Sequence, residues 1–122
     1  MKELRVVLVD DSELIQEYLQ RALLSIKGCN VVGVASQGEE ALLIIRTLLP
    51  DVVLLDVSMP VKGGIEVLRE LREENSEVIV IMFTADPAPL LKQTCLASGA
   101  NYFVSKTEFR QVVEIFAELQ RP

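Results

Sequence analysis

The chain has 122 residues, half of them hydrophobic, which is material for one domain with a single core and leaves nothing for a second. Twelve Lys and Arg against eighteen Asp and Glu give a formal charge of −6, which argues against a nucleic-acid surface in this chain, since that would show as a basic stripe. There is no histidine, and Cys29 and Cys95 lie far from any CxxC spacing; Cys/His metal sites and histidine triads are excluded, and both thiols read as reduced, buried or idle.

The opening stretch MKELRVVLVDD holds a short apolar run, LRVVLV (4–9), closed by two acids, and lacks the apolar core and cleavage site of a signal peptide. Residues 12–26 place Ile15, Leu19, Ala22/Leu23 and Ile26 three and four apart, the period of a helix, with Ser12 as its cap. NVVGVA (30–35) reads as a second strand, and 39–49 as a helix that is apolar around much of its girth and stopped by Pro50. DVVLLD (51–56) sets four aliphatic residues before Asp56. A run like that is buried on both faces, where a lone carboxylate is costly.

VKGG (61–64) predicts a turn needing positive φ, supplied by Gly63 or Gly64. Residues 64–74 bury Ile65, Val67/Leu68 and Leu71 on one helical face. EVIVIMF (77–83) is a fourth strand, and Pro87 and Pro89 suit the start of a helix that stops at Gly99. ANYFV (100–104) is a fifth strand, and the last helix begins near Thr107 and runs almost to the end.

The strands are rich in Val and Ile and mostly continuous rather than alternating, as parallel strands covered on both faces are. Five β/α alternations predict an α/β domain over residues 1–122: one doubly wound, five-stranded parallel sheet with right-handed crossovers and five helices. No apolar run approaches the ~18 residues of a membrane span, so the expectation is a cytoplasmic protein with no membrane contact.

Polar residues collect at one end of these strands. Asp10 and Asp11 follow the first, Asp56 ends the third, Thr84 follows the fourth and Lys106 the fifth. Ligands bind at the carboxyl edge of such sheets. With the flavodoxin-like order 2-1-3-4-5, Asp10, Asp11, Asp56 and Thr84 share one crevice with Lys106 at its flank. At ~4 Å each carboxylate pair repels by roughly 1 to 4 kcal/mol, which a hard divalent cation such as Mg²⁺ relieves. A lysine and a hydroxyl beside such a metal suit the oxygens of a phosphoryl group, and a carboxylate can itself be the nucleophile. Asp56 is central and the best candidate. Singly, Asp10–Asp11 reads as a helix start, Asp56 as a solvated strand end, Thr84 as a capping hydroxyl and Lys106 as a surface lysine. Their joint register outweighs those readings.

The segments VDD (9–11), LLDVSMP…GG (54–64), FTA (83–85) and FVSK (103–106) resemble the receiver domain of bacterial response regulators, over essentially the whole chain. The resemblance implies that Asp56 accepts a phosphoryl group from a histidine kinase or phosphotransfer protein. It implies Mg²⁺ on Asp11, Asp56 and the Ser58 backbone carbonyl, with Asp10 helping through water, and phosphoryl oxygens contacted by Lys106 and Thr84. Phe103 falls where the family places its mobile aromatic, so Thr84 and Phe103 form the expected switch, although Phe103 taken alone reads first as core. The protein would then be a signalling switch rather than an enzyme, catalysing only its own Mg²⁺-dependent phosphorylation and dephosphorylation. A C-terminal DNA-binding output domain outside this chain, a separate partner and a phosphorylation-dependent homodimer are all compatible with it. Two departures stand out. The family commonly has Lys-Pro with a cis bond, whereas Thr107 follows Lys106, and a cis bond without proline costs ~3 kcal/mol. Phe103 lacks the hydroxyl of a tyrosine switch.

Leu14 and Tyr18 lie off the Ile15/Leu19 stripe beside the acid pair, and suggest a docking surface for the phosphodonor or, nearly as well, a wrap onto the sheet edge. The alternative function is a phosphorylation-independent receiver acting as a protein-binding module, which the presence of all five polar residues counts against. An FMN-binding enzyme would want a Ser/Thr/Gly-rich loop where DDSEL stands. An aspartyl-phosphate phosphatase would want an acid at position 58.

Overall fold

Ten elements alternate along the chain: β1 (Leu4–Val9), α1 (Glu13–Leu24), β2 (Cys29–Ala35), α2 (Gly38–Leu48), β3 (Val52–Asp56), α3 (Gly64–Glu73), β4 (Ile79–Thr84), α4 (Pro89–Ala97), β5 (Tyr102–Ser105) and α5 (Phe109–Leu119). The structure, a computed structural model, describes residues 2–122. The strands form one sheet in the order β2-β1-β3-β4-β5, and every neighbouring pair is parallel. The expected fold is the one observed.

Two apolar layers cover the sheet. Val7, Val53, Leu55, Val80 and Met82 face Ala41, Leu42, Val67, Leu68, Leu71 and Cys95 of α2, α3 and α4. Leu4, Val6, Leu8, Leu54, Ile81 and Phe83 face Leu19, Leu23, Val112 and Phe116 of α1 and α5. Side chains alternate between faces along a strand, so a strand covered on both sides must be apolar at successive positions. All five residues of β3 are buried accordingly. Each fully buried Leu or Phe contributes about 1.5–3 kcal/mol, and these layers hold the strand ends in register. Cys29 and Cys95 are free and buried, and burial pushes the Cys29 thiol up to about 11. Among the described residues, no helix is long and apolar enough to cross a membrane.

Three local expectations change. Helix α1 ends at Leu24 rather than Ile26, because Ser25 turns back and its hydroxyl donates to Ala22 O at 2.6 Å. Helix α5 starts at Phe109, since residues 105–108 form a turn closed by Glu108 N–H on Ser105 O at 2.9 Å. The positive φ in the VKGG segment belongs to Val61 (φ 68) and not to either glycine. Gly63 is extended at φ −78 and caps α3, while Gly64 is required for space: a Cβ there would lie 2.1 Å from the Asp56 carbonyl oxygen.

Candidate functional site

Strand β1 ends at Val9 and delivers Asp10 and Asp11; β3, its neighbour, ends in Asp56. Asp10 and Asp56 are buried and Asp11 is exposed, and carboxylate oxygens of all three lie within 4.8 Å of one another. Local bonds aim them. Ser12 N–H donates to Asp10 Oδ1 at 2.9 Å, and the Gln16 side-chain amide donates to Asp10 O at 2.6 Å. Ser58 N–H donates to Asp56 Oδ1 at 3.3 Å. Ser12 also caps α1, accepting from Ile15 N–H at 3.3 Å.

Lys106 is nearer the centre than its flanking strand suggested. Its ammonium stands 2.7 Å from Asp10 Oδ2 and 3.3 Å from Asp56 Oδ1. Lys106 N–H donates to Thr84 O at 2.6 Å, which ties the end of β5 to that of β4. Asp10 Oδ2 is buried and, despite the nearby ammonium, accepts no hydrogen bond of good geometry, so charge attraction alone satisfies it. Burial, aided by the Asp10 charge and only partly offset by Lys106, pushes the Asp56 carboxyl up to about 6. For Lys106, burial pulls the ammonium down, but its contacts with Asp10 and Asp56 outweigh this and leave it raised.

Thr84 is buried at the edge of the crevice, and its hydroxyl is engaged with a neighbour in sequence. It donates to Asp86 O at 3.2 Å and accepts from Asp86 N–H at 3.0 Å. Phe103 pairs with Met82 across β4–β5 and packs, half-buried, on the α2–α4 layer. It also lines a surface hollow of about 400 Å³ between α4 and α5 with Leu96 and Ile115. Leu14 and Tyr18 are 75% and 53% exposed. Tyr18 packs edge-on against Phe109 of α5, ring centroids 6.0 Å apart, so half of that pair is tied to a neighbouring helix.

At the departure from Lys-Pro, every described peptide bond is trans. The Ser105 and Thr107 hydroxyls lie 2.9 Å apart, and Thr107 N–H donates to Ser105 Oγ at 3.3 Å, a bond that proline could not make.

The donor set fits a hard dication. The three carboxylates offer oxygen ligands only, one buried oxygen lacks a hydrogen bond, and Asp56 is held away from its ordinary ionisation by desolvation and a like charge. The features that sequence reasoning missed are the Asp10–Lys106 pair, the Gln16 bond to Asp10 and the Gly64 contact. Position 64 carried a readable signal, a glycine, but its cause is tertiary.

A doubly wound parallel sheet with a crevice at its carboxyl edge, one strand end acidic and another basic, belongs to the α/β class that places its ligand site at that edge. The sequence profile of the response regulator receiver domain matches residues 6–117. The chain is 42% identical over 103 residues to response regulator UvrY of Escherichia coli, covering 84% of this chain and 47% of that protein. It is 33% identical over 124 residues to the probable C4-dicarboxylate response regulator DctR of Bacillus subtilis, covering 98% and 55%. Among solved structures, the NarL signal receiver domain of Mycobacterium tuberculosis superposes with a TM-score of 0.90 at 34% identity, covering 98% and 97% of the two chains. CheY in the CheX–CheY–BeF3–Mg²⁺ complex of Borrelia burgdorferi superposes at 0.84 and 30% identity, covering 94% and 90%. The chain belongs to the response regulator receiver domain family. It spans about half the length of the curated relatives it matches. Receiver domains bind Mg²⁺ at an acidic pocket, and the Asp10–Asp11–Asp56 cluster is a group of carboxylates that could hold a metal ion.

Proposed function

We propose that this chain, over residues 1–122, is a phosphoacceptor switch in which Asp56 takes a phosphoryl group from a histidine kinase or phosphotransfer protein. The single observation that carries this is Asp56 itself: a carboxylate 4% exposed at a strand end, facing a lysine at 3.3 Å and flanked by two further acids. A carboxylate oxygen of Asp56 attacks phosphorus, the O–P bond forms, and the P–N bond to the donor imidazole breaks with its electron pair leaving on nitrogen. Asp11, Asp56 and the Ser58 carbonyl are the proposed Mg²⁺ ligands, with Asp10 acting through water. Bound there, Mg²⁺ neutralises the charge that collects on the phosphoryl oxygens. Lys106 gives up part of its contact with Asp56 to pair with a phosphoryl oxygen, and Thr84 donates to another after leaving Asp86 O. The CheY relative bound with BeF3 and Mg²⁺ supports this reading. So does the joint presence of all five polar residues, which disfavours a phosphorylation-independent binding module.

The response belongs to the face made by α4, β5 and α5. Beyond the chain, the reading includes a cytoplasmic location, an output partner or DNA-binding domain, and a homodimer that forms on phosphorylation. Incubation with acetyl phosphate and Mg²⁺ should add one phosphoryl group that is labile to base and hydroxylamine, and Asp56→Asn should remove it while the fold survives. Modification that persists on Asp56→Asn at another acid would show the wrong carboxylate has been chosen.

A further inference from the structure

Between β3 and α3 the chain makes a tight loop beside the crevice. Its base is closed by Gly64 N–H on Val57 O at 2.9 Å, and its apex by Lys62 N–H on Pro60 O at 2.9 Å, a three-residue turn centred on Val61. Val61 stands at φ 68, where a β-branched L-residue clashes with its own backbone. Its side chain is fully exposed, at 102%, so packing does not repay that strain. Something else must hold the turn.

Lys62 is the group in position to do so. Its stem lies against the first residue of α2, so closely that a Cβ on Gly38 would sit 2.7 Å from Lys62 Cβ, Cγ and carbonyl oxygen. Its ammonium is 2.6 Å from Glu39 Oε1 on α2 and also pairs with Glu70 on α3. Although its head is charged, the side chain is only 19% exposed. Among the described residues, no other member of the 57–63 loop makes an ion pair. One lysine therefore ties the loop to the helices on either side of it.

We propose that Lys62 is a positioning residue: its pairs with Glu39 and Glu70 hold the strained turn at Val61 and thereby fix the segment that presents the Ser58 carbonyl to the metal site. The metal half rests on the function proposed above; the turn itself does not. Without the clamp, Val61 relaxes to negative φ and residues 58–60 move with it. Glycine at 61 has no such penalty and keeps the turn without the clamp.

Two readouts test this separately. In metal-free protein, Lys62→Gln should speed hydrogen exchange at the residue-62 and Gly64 amides, and Lys62→Arg should keep them protected. Adding Val61→Gly to Lys62→Gln should restore protection. Mg²⁺ titration followed by NMR shifts, on folded protein well below its unfolding temperature, should show affinity falling about tenfold in Lys62→Gln, as loss of a group supporting a ligand does. The affinity should return in Lys62→Arg and in the double variant. If Lys62→Gln matches the original in both readouts, Lys62 is a surface ion pair and the inference falls. If Lys62→Arg rescues but Val61→Gly does not, the strained turn is not what the clamp holds, and the inference is overturned. If the original and Asp11→Ala titrate alike with Mg²⁺, the metal reading fails with its half of this inference, and the amide readout alone decides the clamp.

Discussion

Gly64 lies so close beneath Asp56 that a Cβ on it would come within 2.1 Å of the Asp56 carbonyl oxygen. The clash would be with backbone, which has no rotamer to escape into. Gly64→Ala must then push α3 away from the strand end that carries the candidate nucleophile. Overpacking of this kind costs about 1–3 kcal/mol, more than alanine gains from its better helix propensity. Urea unfolding should show the loss as a lower midpoint. An unchanged midpoint would mean that α3 gives way at this point without cost.

The Asp56 carboxyl is raised from 3.8 to about 6 by burial first and the Asp10 charge second. A raised acid favours folding while it is protonated. That advantage is complete below the unfolded value of 3.8 and is lost as pH rises through about 6. The shift corresponds to roughly 3 kcal/mol of strain from a buried charge at neutral pH. Asp56→Asn should therefore be the more stable protein at pH about 8, and the two should converge near pH about 4. Saturating Mg²⁺ at the higher pH should stabilise the original far more than the Asn variant. Parallel stability curves across this range would remove Asp56 as the strained group.

Lys106 balances Asp10 and Asp56 at 2.7 and 3.3 Å. Lys106→Ala leaves two facing carboxylates, and metal-free stability at neutral pH should fall by about 1–3 kcal/mol, limited because Asp56 can take up a proton. Mg²⁺ should bind more tightly, since a cation beside the site has been removed. Asp56 should still take up a phosphoryl group, but the change in exchange that follows should weaken. Weaker Mg²⁺ binding in this variant would mean that Lys106 orders the acids rather than competing with the metal.

Thr84 now gives its hydroxyl hydrogen to Asp86 O, and Phe103 packs half-buried one strand away. A phosphoryl group on Asp56 carries roughly −2 charge and three acceptor oxygens, and Thr84 reaches one only by leaving Asp86. The vacated volume favours inward rotation of Phe103, biasing two existing states. Phe103→Ala should keep phosphoryl uptake near the original rate while flattening the phosphate-dependent hydrogen exchange across residues 86–120. The same exchange pattern in both proteins would make Phe103 a core residue only.

The sheet and its covering layers were legible in the sequence, because a strand buried on both faces must be continuously apolar, and β3, at Val52–Asp56, is. The helix start at Ser12 was legible for a local reason: its hydroxyl accepts the Ile15 N–H within one turn. The candidate site was legible as a set of strand-end positions, since parallel strands place their carboxyl ends on one edge whatever the side-chain details. The sequence by itself thus determined the architecture and which polar residues share the crevice. Tertiary structure decided the rest. It chose Lys106 as the partner of Asp10 as well as Asp56, by bringing the carboxyl ends of β1, β3 and β5, which are distant in the chain, to one edge of the sheet. It put the positive φ on Val61 and kept Gly64 for space, because the loop is bounded by Lys62 on two helices and by the Asp56 backbone. Local pattern reports burial and turn tendency; contacts between strand ends and neighbouring helices exist only once the sheet has assembled, and no window of sequence contains them.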